Sequence, residues 1–102
     1  MNEGVIYMKY EKGIPEKYKE LLKLKPETEE RHKELLSNIP KQHYAQVVAS
    51  LKYKERFGDG FPTYETGISE PEQYIEAIIQ CLEKGKDAIE LFDVDVDSGL
   101  IY

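Results

Sequence analysis

Tryptophan is absent from this chain, cysteine occurs once and histidine twice. With Cys81 alone, no intrachain disulfide can form, which fits a reducing, cytoplasmic setting. No apolar run approaches the roughly 20 residues that a membrane helix needs. The opening residues 1–7 carry Glu3 where a secretory leader would carry a basic region. Neither a membrane nor a secretory route is therefore expected. There is no nucleophile triad, no metal-ligand cluster and no phosphate loop, so the chain is expected not to be an enzyme and to need no cofactor.

Positive charge is also scarce, but only in one half. Residues 57–102 hold just Lys84 and Lys86 against eleven acids, a net of −9, whereas residues 1–56 hold twelve Lys and Arg against nine acids, a net of +3. An asymmetry of this size points to a charged partner or an interaction face rather than to a fold. The length of 102 residues suits one domain with a modest core. At 40% hydrophobic and 33% charged, the composition is that of a globular protein with a highly charged surface.

Along the chain, residues 5–10 are β-branched and aromatic and read as a strand. Ile14-Pro15 opens a helix that Pro26 stops, with Tyr18, Leu21 and Leu22 on one face and Glu20 at pairing distance from Lys23. A second helix is predicted over residues 27–38, with early acids at the positive end of its dipole and an apolar stripe of Leu35, Leu36 and Ile39. Residues 42–57 fit both periods. Tyr44, Val47, Val48 and Leu51 make a helical face, while Ala45, Val47, Ala49, Leu51 and Tyr53 alternate as in a strand; length and Pro40 favour the helix. Gly58-Asp59-Gly60 is a turn, and residues 61–66 suit a short edge strand. The best-signalled helix starts at Ser69. Ser69-Glu70-Pro71-Glu72 reads as a capping box, an apolar face of Tyr74, Ile75, Ile78, Ile79 and Leu82 follows, and Gly85 ends it. Residues 88–96 read as a strand, Val94 and Val96 alternating with Asp93, Asp95 and Asp97. The expected fold is thus α+β, three or four helices on a small, mainly antiparallel sheet made by the terminal strands.

Several residues invite chemistry and then fail its requirements. Asp93, Asp95 and Asp97 mimic the start of a calcium loop, but Ser98 stands where glycine belongs, and the sequence has no residue at the twelfth position for the bidentate Glu. Glu29 and His32 form a single Glu-x-x-His pair where a di-iron bundle would need two, and His43 has no acid within four residues. Cys81 falls late in its helix beside Ile78 and Leu82, where a structural, buried thiol is expected. The run Lys52-Tyr53-Lys54-Glu55-Arg56 could contact phosphates and stack on bases, but nearby glutamates dilute it and the isoelectric point is near 5.0.

The expected function is a non-enzymatic protein-binding module of the immunity-protein, antitoxin or phage-inhibitor kind. Its acid-rich face of Glu65, Glu70, Glu72, Glu76, Asp93, Asp95 and Asp97 would meet a protein with a basic surface. The alternative is a nucleic-acid-binding accessory protein using the Lys52–Arg56 region, which the overall acidity disfavours. Eight tyrosines suit an interface, because tyrosine buries area and keeps a polar tip.

Overall fold

The computed structural model describes residues 10, 13–68 and 70–92. Among these residues there is no strand, and the α+β expectation is corrected to a helical protein. A 3-10 turn at Glu16–Tyr18 is followed by α1 (Pro26–Arg31), α2 (Lys33–Asn38), α3 (Lys41–Phe57), α4 (Thr63–Thr66), α5 (Pro71–Lys84) and α6 (Ala88–Leu91).

The frame is α3 packed on α5. In α3 the buried positions are Ala45, Val48, Ala49 and Tyr53, spaced three, four and eight residues from the first, which is the helical period. The segment is helix throughout, so the strand reading fails, but the buried face is rotated from the expected one: of Tyr44, Val47, Val48 and Leu51 only Val48 is buried, the others half-buried. Pro40 stands at the N-cap, where its missing N–H costs nothing, and Gly58 closes the helix at φ 93°, a left-handed conformation that glycine adopts without strain. In α5, Ile75, Ala77, Ile78, Ile79 and Cys81 are buried. Ile78 and Ile79 are core residues as expected, whereas Leu82 is only partly buried and packs against the core from outside. The N-cap of α5 is Glu70, with Pro71 in the first turn and no side-chain cap bond, so the start falls one residue later than the expected box; Ser69 lies outside the described residues. Gly85 ends α5 in the left-handed region, as its position predicts.

Four further expectations change. The helix expected after Pro15 is only a 3-10 turn followed by irregular turns, and its ion pair joins Lys19 to Glu16 at 3.4 Å rather than Lys23 to Glu20. The helix expected over residues 27–38 is broken at His32, whose φ of −113° and ψ of 25° lie off the helix. Residues 63–66 coil into α4 instead of an edge strand. The start of the expected C-terminal strand is α6, because Asp87 caps it: its Oδ1 accepts the Glu90 N–H at 2.9 Å. The rest of that strand, and residues 5–9 of the N-terminal one, lie outside the described residues; Tyr10 is in a turn.

Two polar clamps tie the short elements to α3. The Glu55 carboxylate accepts the Lys25 N–H at 2.9 Å, the Thr28 hydroxyl at 2.6 Å and the Lys52 ammonium at 3.0 Å. It thereby pins the start of α1, and Thr28 is buried beneath it. Burial pushes the Glu55 pKa up, but its three hydrogen bonds and the Lys52 charge outweigh burial and hold it below the ordinary value. The second clamp joins Tyr53 to α6: the phenol oxygen accepts the Ala88 N–H at 2.8 Å.

A candidate acidic docking site

The end of α3, the loop after it, α4 and the cap of α6 meet on one side of the α3–α5 pair. Thr66 stiffens α4: its hydroxyl donates to the Pro62 carbonyl at 2.8 Å and accepts the Ile68 N–H at 3.2 Å. This brings Asp59, Glu65 and Asp87 to a pocket of about 240 Å³ whose apolar lining comes from Phe57, Pro62, Ile89 and the Tyr53 ring. No lysine or arginine lines it.

The negative field there is felt by its neighbours. Burial raises the Tyr53 pKa and the Ala88 hydrogen bond opposes that rise, while Cys81, Asp87 and Asp59 add to it. Burial, with Asp87 second, pushes the Cys81 thiol up to about 11. Cys81 is fully buried in the core, in line with its expected structural role. No group of three His, Cys, Asp or Glu among the described residues is placed to hold a metal ion. An apolar lining with carboxylates around it suits a lysine or arginine side chain, its methylene stem on the rings and its charge among the acids.

The structure divides the acids singled out in the sequence. Glu65 lies in the pocket. Glu70 is exposed at the N-cap of α5. Glu72 and Glu76, one turn apart, are half-buried and face Tyr10. Burial raises the Tyr10 phenol pKa, with Glu76, Tyr18 and Glu72 adding to the rise. Asp93, Asp95 and Asp97 lie outside the described residues. Asp59 and Asp87 were not singled out in the sequence. The spacing Asp87-x-x-Glu90 is a helix-start signature that could have marked Asp87.

The basic run Lys52-Tyr53-Lys54-Glu55-Arg56 does not form one face. Lys52 is bound to Glu55, and Tyr53 is buried and so cannot stack on a base. The Arg56 guanidinium lies 4.9 Å from the Phe57 ring centre, and a Cβ added to Gly85 would sit 3.5 Å from it, at the negative end of α5. Lys54 is exposed.

Comparison with protein-family models, with curated proteins and with solved structures finds no match to this chain. No helix among the described residues is long and apolar enough to cross a membrane.

Proposed function

We propose that the protein is a non-enzymatic binding module that docks a basic protein on its acid-rich half, as an immunity protein, antitoxin or phage-type inhibitor does, and that it works in the cytoplasm. The observation that carries this reading is the pocket where Asp59, Glu65 and Asp87 converge around an apolar lining with no cation among them. It lies in the half that carries −9. A lysine or arginine of the partner supplies the missing charge, and the surrounding acids steer the approach. The burial of Tyr53 and the engagement of Lys52 and Arg56 weigh against nucleic acid as the ligand.

The test is a triple variant, Asp59→Asn, Glu65→Gln and Asp87→Asn, in which asparagine preserves the α6 cap. A control triple, Glu27→Gln, Glu29→Gln and Glu30→Gln, removes the same charge elsewhere. Proteins retained by the wild type are identified, and the association rate of the purified partner is followed against salt. The wild-type rate is expected to fall as the Debye length shrinks from about 30 Å at 0.01 M to about 8 Å at 0.15 M. The pocket triple should slow association far more than the control. Equal effects of the two triples, or a retained ligand that is nucleic acid, would reject the reading.

A further inference from the structure

A cleft on the basic half is independent of the acidic pocket. It has a volume of about 590 Å³, within the roughly 300–1,000 Å³ of small-molecule sites. The segment before α1, the α2–α3 junction and α3 enclose it. Ile14, Ile39 and Tyr44, all half-buried, form its apolar wall, with Leu22 and Val48 buried behind them. Three lysines stand around it: Lys19, Lys23 and Lys41. Glu29 is the one acid in the lining.

These lysines are not consumed by the fold. Lys19 pairs with Glu16 at 3.4 Å, but the two side chains are 61% and 90% exposed, and such a pair is worth little in water. No ion pair holds Lys23 or Lys41 among the described residues, and both are exposed. Lys41 is also the first residue of α3, so the positive end of that helix adds to the same field. An apolar wall beside a net positive rim selects for a ligand with both characters. A bare inorganic anion would leave the wall wet, and a neutral apolar molecule would leave the lysines unused.

We propose that this cleft binds a small amphiphilic anion, a carboxylate or phosphate carrying a short apolar chain. The chain lies against Ile14, Ile39 and Tyr44, and Lys19, Lys23 and Lys41 receive the anionic head. Ammonium groups meet either head group as point charges, so the shared chemistry is the anion plus its tail.

The experiment is a titration of the isotope-labelled full chain with octanoate, octyl phosphate, octanol and acetate, following the backbone amides of Ile39, Tyr44 and Val48. One or both of the long-chain anions should produce saturable shifts; a difference between them assigns the head group. Octanol and acetate should produce none at the same concentrations. The variant Lys19→Gln, Lys23→Gln, Lys41→Gln changes exposed side chains only, and unchanged circular dichroism would verify its fold. Its affinity for the long-chain anion should fall about tenfold or more. Saturation by octanol at equal affinity, an unchanged affinity in the triple variant, or no saturable shift with either long-chain anion would overturn the proposal.

Discussion

The phenol oxygen of Tyr53 accepts the backbone N–H of Ala88 at 2.8 Å, a bond between residues 35 apart in sequence that docks the first residue of α6 onto the middle of the core. Both residues are buried. The Tyr53 ring is held in turn by Phe57 and Phe61, with ring centres at 4.8 and 5.3 Å.

Tyr53→Phe keeps those ring contacts and removes only the acceptor. The buried Ala88 N–H is then unsatisfied, which should cost about 1–3 kcal/mol. Urea unfolding measures it. A midpoint that does not move would mean that water replaces the hydroxyl and that the clamp carries no weight.

Glu55 gives stability a dependence on acid. Its folded pKa lies below the ordinary 4.5, so its contribution is fully present above the unfolded value and drains away as pH falls through the folded one. Glu55→Gln should therefore destabilise at pH 7 and flatten the loss of stability below about pH 4.5. Thr28→Val in the same background reports the coupling of the pair, expected at roughly 0.5–3 kcal/mol. Parallel acid-unfolding curves for wild type and Glu55→Gln would refute the assignment.

Cys81 should be chemically silent in the folded protein. It is fully buried and its thiol is pushed up to about 11, so almost no thiolate exists at pH 8. Ellman's reagent at pH 8 should react slowly with the native chain and promptly once urea is added. Prompt reaction without urea would place the thiol at the surface.

The core has a centre and a margin. Ile78 is fully buried, whereas Leu82 is only partly so. Ile78→Ala should cost about 2–5 kcal/mol through lost transfer energy and a cavity. Leu82→Ala should cost clearly less, as its site is open to water. Equal midpoints for the two variants would contradict this ordering.

The legible parts of the fold are those written in local code. In α5, proline in the first turn, a broad apolar stripe and a closing glycine all agree, and the helix appears between Pro71 and Lys84. In α3 the apolar residues satisfied two periods at once, and only packing against α5 decides which side chains are inside. The alternation of Val94 and Val96 with aspartates outweighs the capping signal at Asp87 in the sequence and points to a strand where α6 forms. The break at His32 has no sequence marker. Its ring Nδ1–H donates to the Thr28 carbonyl at 3.0 Å, and the turn ahead of it is pinned by Glu55 from 27 residues away. The acidic pocket was half legible for a similar reason. The total charge of its region is plain in the sequence, but Asp59, Glu65 and Asp87 come from a loop, α4 and a cap, which only the tertiary fold brings to one place.

The Glu55 clamp also orders events in time. A helix of six residues, such as α1, cannot nucleate alone in water, because fixing the first turn costs more than its few bonds return. The groups that hold α1, the Thr28 hydroxyl and the Lys25 N–H, find their acceptor only after α3 has formed and presented Glu55. The order expected from this clamp is that α3 forms first and α1 docks onto it afterwards. Amides of α1 are accordingly expected to exchange faster than those of α3 and α5.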